Sequence, residues 1–317
     1  MYPKIFVLRL QVMEKNFLRI AHISDLHYSK TSWNPLQFFS KRWIGNLNLL
    51  LSRKKEYEHQ RLLSLPEFFK NASVSHVLIT GDLSTTSLEQ EFDLAADFIS
   101  SLKAAGLSVL TIPGNHDQYT KKVYRDSLFY QFFDASFSGK NQLEQKWNLK
   151  EHKVAIKQLN DNWKLVLLDT AIATPFYSSR GLFSLEAEKN LEAALSEIAL
   201  DQNVLLANHF PFFEGDSDRT TLLRSEHLRA LVKRFSQIKI YLHGHTHRHC
   251  IADLRSSGYP IVLDSGSTPH RSKGAINLIE ISKEGCDIQV LQWKSGENAQ
   301  PSQWQASRHV NCPWSIR

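Results

Sequence analysis

Short motifs of carboxylate, imidazole and amide residues occur at five places along this chain of 317 residues. They are Asp25-Leu26-His27, Gly81-Asp82, Gly114-Asn115-His116-Asp117, Asn208-His209 and Gly244-His245-Thr246-His247. Each motif follows an apolar stretch that predicts a β-strand. Together the motifs supply seven oxygen and nitrogen ligands, enough for two adjacent divalent metal ions. Two metal ions roughly 3.5–4 Å apart are suited to displacing an oxygen from phosphorus.

The ligand types indicate which metals such a site would bind. Carboxylate, imidazole and amide ligands without thiolates suit manganese, iron or zinc, whereas a structural zinc site normally uses cysteine. We therefore expect two divalent ions, with manganese as the first choice and iron or zinc as alternatives. The chain has three cysteines, Cys250, Cys286 and Cys312, and none belongs to a C-x-x-C pair. Their odd number and the expected lack of a secretory leader predict reduced thiols and a cytoplasmic location.

Length and composition predict one globular unit. The chain is 42% hydrophobic and 22% charged, values that are typical of a folded protein. Because the motifs extend from Asp25 to His247, we predict a single domain over residues 15–293, followed by a C-terminal extension over residues 294–317. Met13 is an alternative natural start, which would make residues 1–12 an upstream extension. No window approaches the roughly 20 apolar residues of a membrane-spanning helix.

The charge of the chain favours an anionic partner. The formal net charge is +6 and the pI is about 9.1, which suits nucleic acid, anionic lipid or a phosphorylated metabolite. Outside residues 29–65, basic residues do not alternate regularly with aromatic ones, as they would in a groove for nucleic acid. We therefore expect a phosphorylated small-molecule or lipid-linked substrate and no nucleic-acid partner.

Apolar runs place the motifs at the ends of strands. Strands are predicted over residues 17–24, 77–80 and 107–112, and a helix over residues 88–103 with Gly106 as its stop. Further along the chain we predict a helix over residues 185–200 and strands over 163–169, 203–208, 239–243, 261–263, 275–281 and 286–293. This order favours a mixed α/β fold of two packed sheets flanked by helices, with the site at the edge that bears the loops.

The order and spacing of the motifs D-x-H, G-D, G-N-H-D, N-H and G-H-T-H resemble the calcineurin-like metallophosphoesterase family. The resemblance extends over about residues 20–290 and implies a four-layer αββα sandwich of two mixed β-sheets. It also implies one metal ion held by Asp25, His27, Asp82 and His247, and a second held by Asp82, Asn115, His209 and His245. Asp82 would bridge the ions, since a carboxylate has two oxygens and Gly81 beside it has no side chain to obstruct the cluster.

The same resemblance implies a hydrolytic mechanism. A water between the ions would lose a proton and attack phosphorus in line, because metal coordination lowers the pKa of water from about 15.7 to about 7. His116 would face the substrate oxygens and stabilise or protonate the leaving group, and Asp117 would orient the imidazole of His116. We predict that Arg180 and Arg248 contact a substrate phosphate, with surface salt bridges as the competing interpretation.

An ordinary interpretation exists for each motif residue taken alone. An Asp or His at a strand end is usually a turn or capping residue, so one motif is weak evidence, whereas five motifs in order are strong. Residues 243–249 contain four histidines, of which the family pattern uses only His245 and His247. We interpret His243 as a packed residue at a strand end and His249 as a surface residue.

Residues 29–65, directly after the first motif, are predicted to form a cap insertion beside the substrate entrance. The segment is rich in apolar and basic side chains, which include Trp33, Phe38, Lys41, Arg42 and Trp43. Some of the apolar residues follow helical spacing and others lie off that stripe. The segment is therefore interpreted either as a helical cap packed on the sandwich or as an amphipathic element that contacts an anionic membrane.

Three functions are consistent with these features. The insertion favours a resemblance to the enzymes that cleave UDP-2,3-diacylglucosamine to lipid X and UMP in lipid A synthesis, acting peripherally at the inner membrane surface. One branch of those enzymes has arginine where this chain has His116, which counts against that branch. A cyclic-nucleotide or general phosphodiesterase is the alternative. A non-catalytic binding module of the same fold is the second alternative, and the intact ligand set counts against it.

Overall fold

The computed structural model describes residues 17–30, 56–133, 141–175, 177–213, 217–296 and 302–315. The strands in these ranges are β1 (Leu18–Ile23), β2 (His76–Ile79), β3 (Ser108–Thr111), β4 (Val154–Asn160), β5 (Trp163–Leu168), β6 (Gly181–Leu182), β7 (Asn203–Ala207), β8 (Leu222–Leu223), β9 (Ile238–His243), β10 (His249–Asp253), β11 (Ile261–Ser265), β12 (Ala275–Ile281), β13 (Gly285–Lys294) and β14 (Gln303–Pro313). The helices are α1 (Leu65–Asn71), α2 (Glu89–Ala104), α3 (Lys121–Arg125), α4 (Phe129–Phe132), α5 (Gln142–Lys146), α6 (Leu149–His152), α7 (Leu185–Ser196) and α8 (Ser225–Arg234), with 3₁₀ turns at His59–Ser64 and Arg255–Ser257.

Two six-stranded sheets form the centre of the protein. The first has the order β14-β13-β12-β1-β2-β3, and the second has the order β10-β11-β9-β7-β5-β4. The motif-bearing strands run parallel to their neighbours, β1 with β2 and β2 with β3 in the first sheet, and β7 with β9 in the second. Antiparallel strands complete both sheets. Both sheets are therefore mixed, as predicted.

Three apolar layers hold the sheets and helices together. Strand residues alternate between the two faces of a sheet. Ile20 of β1 therefore packs between the two sheets with Leu205 of β7, whereas the adjacent Ala21 packs on the outer face with Phe92 of α2. Helices α7 and α8 cover the outer face of the second sheet through Leu191 and other buried side chains. The result is the predicted four-layer αββα sandwich.

Helix ends follow local sequence signals. The Ser184 hydroxyl accepts a hydrogen bond from the backbone N–H of Ala187 and so caps the start of α7. Helix α2 ends at Ala104, and Gly106 follows with a left-handed φ of 89°. Glycine adopts this conformation without a Cβ penalty, which explains why it stops the helix. The predicted stop at Gly106 is thus confirmed.

The sequence did not predict all of the strands. Strands β4 and β10 pair with the outer edges of the second sheet, and β14 pairs with β13 in the first. Residues 303–313 of the predicted C-terminal extension therefore lie in the sheet. These strands are edge strands with many exposed or half-buried residues, so they lack the continuous apolar runs that identify central strands.

Most of the predicted cap insertion, residues 31–55, lies outside the described residues, and so do Trp33, Phe38, Lys41, Arg42 and Trp43. The membrane interpretation of that segment therefore stays a prediction. Its described end contacts the site, since the ring of Tyr57 lies 5.1 Å from that of His27. Within the part of the chain that the structure describes, no helix is long and apolar enough to cross a membrane.

Candidate metal centre

The predicted ligands lie at the carboxyl ends of parallel strands from both sheets. Asp25 and His27 follow β1, Asp82 follows β2, and Asn115 follows β3 in the first sheet. In the second sheet, His209 follows β7, and His245 and His247 follow β9. Carboxyl ends of parallel strands share one edge of a sheet, and the two packed sheets align these edges. Ligands that are far apart in sequence thereby converge.

Five of the seven predicted ligands have a left-handed backbone. Their φ angles are 54° for Asp25, 48° for His27, 53° for Asp82, 70° for His245 and 54° for His247. Such angles are uncommon for residues other than glycine, although Asp and His tolerate them better than most. Each costs about 1–2 kcal/mol relative to a right-handed conformation. Strained residues of this kind cluster at functional sites, where surrounding contacts hold them in place.

The first group of ligand atoms contains Asp25, His27, Asp82 and His247. One atom from each residue lies within 4.8 Å of every other. The Nε2 atoms of His27 and His247 are 2.9 Å apart, and Asp25 Oδ1 is 3.1 Å from Nε2 of His247. Asp82 Oδ2 is 3.9 Å from Nε2 of His27. A metal ion with ligands at about 2.0–2.2 Å in tetrahedral geometry separates them by roughly 3.3–3.6 Å, so the spacing suits one ion.

The second group contains Asp82, Asn115, His209 and His245. Asp82 Oδ2 is 3.5 Å from Nε2 of His209. Asn115 Oδ1 is 3.2 Å from that same nitrogen and 2.9 Å from Nδ1 of His245. Asp82 therefore belongs to both groups, and a single oxygen of its carboxylate faces both. The structure brings together each of the two ligand sets that the sequence predicts.

Hydrogen bonds to neighbouring groups orient the candidate ligand side chains. Asp25 Oδ2 accepts bonds from the Ser24 hydroxyl at 2.6 Å and from the backbone N–H of His245 at 3.1 Å. The other oxygen, Oδ1, is buried and accepts no hydrogen bond. His209 Nδ1 donates to the carbonyl of Thr80 at 2.7 Å, which directs Nε2 toward Asp82. Such outer contacts fix the tautomer and orientation of metal-binding histidines.

The charges of the site also fit cations. Burial alone raises the pKa of the Asp82 carboxyl, but the histidine charges around it, that of His209 above all, hold this pKa well below its ordinary value. Burial opposes protonation of His209, yet Asp82 and Asp25 raise its pKa to about 9. Burial and the charge of His209 lower the pKa of His245 to about 3. Asp82 and Asp25 thus stabilise a positive charge in a buried site, here that of protonated His209. A metal cation at the same place would be stabilised in the same way.

The orphaned oxygen of Asp25, the ligand spacing and this charge balance together fit metal ions. The ligand set contains only carboxylate, imidazole and amide groups, which suit manganese, iron or zinc. The cluster alone does not discriminate among these metals, and manganese stays a prediction.

His116 and Asp117 follow the ligand Asn115 directly and lie next to the ligand groups. The ring of His116 donates through Nδ1 to the carbonyl of Thr85 at 2.6 Å and stacks on Tyr119 with ring centroids 5.5 Å apart. The prediction that Asp117 orients this ring stays a prediction. The Asp117 carboxylate accepts hydrogen bonds of 2.8–3.1 Å from backbone N–H groups and one hydroxyl, on Leu83, Ser84 and Gly114.

Asp117 is therefore a buried anchor for two ligand-bearing loops. Burial and the charge of Asp82 raise its pKa to about 7. The four hydrogen bonds that the Asp117 carboxylate accepts come from residues in loops. Asp117 thus pairs backbone N–H groups that no helix or strand would pair. The sequence pointed to Asp117 but not to its partners. Nearly every residue has a backbone N–H group, so the residue types in a motif do not show which N–H groups bind this carboxylate.

A cavity of about 470 Å³ opens beside the second group. Arg248 lines it, together with Asp82, Asn115, His116, His245 and His247. Arg180 is not among the described side chains that line it, and its Nε donates to the carbonyl of Asp218. A role for Arg180 in binding substrate stays a prediction, and the position of Arg248 is compatible with its predicted role.

The two histidines interpreted as non-ligands have other partners. His243 is buried, and its Nδ1 lies 3.0 Å from the carbonyl of Gly244. Burial lowers the pKa of His243 to about 4. His249 is half-buried, and its Nε2 lies 2.8 Å from Oδ1 of Asn277. His249 is thus less exposed than the sequence interpretation of a surface residue suggests.

Two motif glycines lie against ligand carboxylates. A Cβ on Gly114 would lie 2.2 Å from Oδ1 of Asp82, and a Cβ on Gly244 would lie 2.4 Å from Oδ2 of Asp25. Gly81 has a φ of 93°, and a Cβ there would lie 2.7 Å from Nδ1 of His209. The ligand loops therefore approach each other more closely than side chains allow. The predicted reason for glycine at position 81 is consistent with this geometry.

Comparisons with known proteins identify the class. The family model for calcineurin-like phosphoesterases matches residues 18–249. The chain therefore belongs to the calcineurin-like phosphoesterase family. It is a metallophosphoesterase, and its family depends on two metal ions, which agrees with the pair of ligand groups.

Individual relatives agree with this assignment. The chain is similar to a 3′,5′-cyclic-nucleotide phosphodiesterase of Nostoc sp., with 23% identity over 281 residues, 88% of this chain and 89% of the relative. It is 25% identical over 239 residues to the 3′,5′-cyclic adenosine monophosphate phosphodiesterase CpdA of Vibrio vulnificus, 74% of this chain and 72% of the relative. A crystal structure of a dimetal phosphatase from Danio rerio shares the fold, with a TM-score of 0.63, 14% identity, and coverage of 94% of this chain and 99% of that one.

We predict that Gly114→Ala displaces the Asp82 carboxylate and lowers the metal content of the purified protein. The added methyl has no room, because it would lie 2.2 Å from Oδ1 and 2.5 Å from the backbone N of Asp82. The matched control is Gly106→Ala, because Gly106 also lies in a loop but has nothing within 4 Å of its Cβ position. Its left-handed φ of 89° makes that control cost about 1 kcal/mol of stability. Metal analysis by mass spectrometry compares the two, and equal metal content in both would contradict the packing argument.

Proposed function

We propose that this protein is a phosphodiesterase that uses two divalent metal ions to hydrolyse a cyclic nucleotide. The observation that carries the proposal is the cavity beside the second ligand group. Pro211 and Phe213 provide apolar surface in this cavity, while Arg248 provides a cation. A cavity of about 470 Å³ is within the range of about 300–1,000 Å³ for small-molecule sites. The names of the two sequence relatives support this choice of substrate.

In this proposal, the two ligand groups each hold one ion. Asp25, His27 and His247 serve the first, Asn115, His209 and His245 serve the second, and Asp82 serves both. When bound, the ions supply an activated water and positive charge for the phosphate. The neutral amide of Asn115 leaves more positive charge on its side than a carboxylate would, and this side faces the cavity.

The other residues act on the substrate in different ways. Arg248 contacts the phosphate, because it lines the cavity and a guanidinium binds phosphate oxygens in pairs. His116 donates a proton from Nε2 to the oxygen that leaves phosphorus, since Nδ1 is engaged by the Thr85 carbonyl. In a cyclic nucleotide, the bond from phosphorus to the ribose oxygen breaks and that oxygen takes the proton. Asp117 positions the loops around both.

A lipid-linked pyrophosphate is the second candidate substrate. The observation in its favour is the contact of Tyr57 with His27, which brings the described end of the insertion to the first ligand group. The enzyme would then be the predicted UDP-2,3-diacylglucosamine pyrophosphatase, with peripheral contact to an anionic membrane. Among the described residues, Arg248 is the one Lys or Arg that lines the cavity, and a volume of about 470 Å³ fits a nucleotide better than two acyl chains.

We predict that Asp82→Ala loses both metal ions, whereas His27→Ala and His209→Ala each lose one. The reason is that Asp82 alone faces both ligand groups. Metal ions per chain are measured by mass spectrometry after equilibration with manganese and gel filtration. His227→Ala is the control, because His227 lies on the surface and contacts only Glu188 and Glu226 in the described structure. Retention of two ions by Asp82→Ala would show that the carboxylate does not bridge.

We predict that His116→Ala keeps two metal ions but lowers kcat by about 10²–10⁴-fold on a diester with an alkoxide leaving group. With p-nitrophenolate as the leaving group, the loss should be much smaller, because that group leaves without a proton. The control is His309→Ala, at an exposed histidine on β14. Equal losses on both kinds of substrate would argue against proton donation by His116.

A panel of substrates tests the proposed function itself. The metal-loaded protein is assayed with cyclic AMP, cyclic GMP, bis-p-nitrophenyl phosphate, UDP-2,3-diacylglucosamine and single-stranded DNA. The highest kcat/KM is expected for a cyclic nucleotide. A kcat/KM for UDP-2,3-diacylglucosamine more than about tenfold higher would replace the cyclic nucleotide with the lipid-linked substrate. Metal binding without turnover of any of these would favour the binding-module alternative.

A further inference from the structure

We propose that Asp264 and Thr246 are positioning residues that hold the loop bearing His245 and His247. The inference rests on the proposed function, since it takes these two histidines as metal ligands. Asp264 belongs to none of the sequence motifs, and neither residue is in the predicted ligand set. Their importance comes from a chain of direct contacts between the end of β11 and the loop after β9.

The loop after β9 needs an external restraint. His245 and His247 both have left-handed φ angles, 70° and 54°, with Thr246 between them. Two such unfavourable backbone conformations so close together persist only where surrounding contacts hold them. The backbone of the loop makes one short internal hydrogen bond, from the N–H of Thr246 to the carbonyl of Gly244 at 2.8 Å. Side-chain contacts must therefore supply the rest.

The hydroxyl of Thr246 supplies two of these contacts. It donates to Oδ2 of Asp264 at 2.5 Å and accepts a hydrogen bond from the backbone N–H of Arg248 at 3.1 Å. One hydroxyl thus connects the loop to a neighbouring strand and also closes the turn that contains His247. In this arrangement the side chain of His245 lies in the second ligand group and that of His247 lies in the first.

Asp264 is a rigid acceptor for that hydroxyl. Its side chain is 1% exposed, and its Oδ1 accepts a hydrogen bond from the N–H of Gly266 at 2.7 Å. Strand β11 runs parallel to β9, with Asp264 paired to His243, so Asp264 lies directly beside the start of the ligand loop. A buried carboxylate is costly without hydrogen bonds. Here both of its oxygens are used to hold loops.

The segment that follows Asp264 also holds the first ligand loop. The hydroxyl of Ser267 donates to the carbonyl of Asp25 at 2.7 Å. Thr268 exchanges two bonds with Ser24, accepting from its N–H at 3.2 Å and donating its own N–H at 3.0 Å. Residues 264–268 carry no ligand, yet they join the loops of Asp25 and His247. The distance of 3.1 Å between Asp25 Oδ1 and His247 Nε2 therefore depends on this segment.

The test compares Thr246→Val with Thr246→Ser. Valine keeps the shape of threonine but removes the hydroxyl, whereas serine keeps the hydroxyl. Metal affinity is measured by competition between protein and a chelator for manganese, and the melting temperature is measured separately in the metal-free state. We expect Thr246→Val to lose about 10–100-fold in metal affinity, as is typical when an outer-shell contact is removed. Thr246→Ser should bind within about threefold of wild type, and the metal-free melting temperatures of all three should agree.

Asp264→Asn provides an independent second variant. The amide oxygen can still accept the Gly266 N–H, but the amide NH₂ can only donate to the Thr246 hydroxyl, so the direction of that hydrogen bond must reverse. Metal affinity should therefore fall in the same direction, by less than in Thr246→Val. Asp287→Asn is the matched control, at an aspartate on β13 that pairs with Asn311 away from the site. If Thr246→Val does not fold, Asp264→Asn decides by the same measurements.

Several outcomes would overturn the positioning role. Wild-type affinity in folded Thr246→Val or folded Asp264→Asn would do so. Equal loss in Thr246→Val and Thr246→Ser would do so as well, because the hydroxyl would then be irrelevant. A lower metal-free melting temperature with unchanged affinity would assign these residues to the fold alone. Failure of the wild-type protein to bind two metal ions would instead overturn the proposed function, so the two failures are distinguishable.

Discussion

The site depends on one buried carboxylate that faces two groups of ligand atoms. Asp82 is 1% exposed, and burying a charge is costly unless opposite charges and hydrogen bonds compensate. Its Oδ1 accepts the backbone N–H of His116 at 2.7 Å, which leaves Oδ2 to face His27 and His209. Two cations on that side would complete the compensation. Loops from both sheets converge around this side chain, and Gly114 leaves room for its Oδ1.

Residues outside the two ligand groups stabilise the unfavourable loop conformations of the site. Left-handed residues and close backbone contacts are unfavourable, and they persist because buried polar groups hold the loops. Asp117 does this for the loops after β2 and β3, and Asp264 does it for the loop after β9. Both are buried carboxylates whose partners are backbone N–H groups and hydroxyls. A carboxylate is well suited to this task because it accepts several hydrogen bonds at once.

Much of the fold, and the way it brings the candidate ligands together, could be predicted from the sequence, for specific reasons. Central strands such as β7 and β9 are mostly buried, so they appear as apolar runs, and the candidate ligands follow them in recognisable motifs. Edge strands such as β4 and β14 lack such runs and were missed. The partners of Asp117 were also missed, and so was Asp264. Asp117 accepts hydrogen bonds mainly from backbone N–H groups, and Asp264 accepts one from the hydroxyl of Thr246, 18 residues earlier, so neither set of contacts forms a sequence motif. The Asp117 contacts exist only once β2 and β3 have paired in the first sheet, and the contact of Asp264 with Thr246 exists only once β9 and β11 have paired in the second.

The packing of the two sheets also determines the geometry of the site. Asp82 comes from the first sheet and His209 from the second, so the distance of 3.5 Å between them depends on the apolar layer between the sheets. Leu205 of β7 and Ile20 of β1 belong to that layer, and protein interiors are packed too tightly to absorb a lost methyl group without a shift. A cavity in the layer would let the sheets move relative to each other, and it would separate ligands that lie on opposite sheets. Ligands on one sheet, such as His27 and Asp82, would be less affected. The second ligand group, which holds His209 and His245 from one sheet with Asp82 and Asn115 from the other, is therefore the part of the site most sensitive to the core.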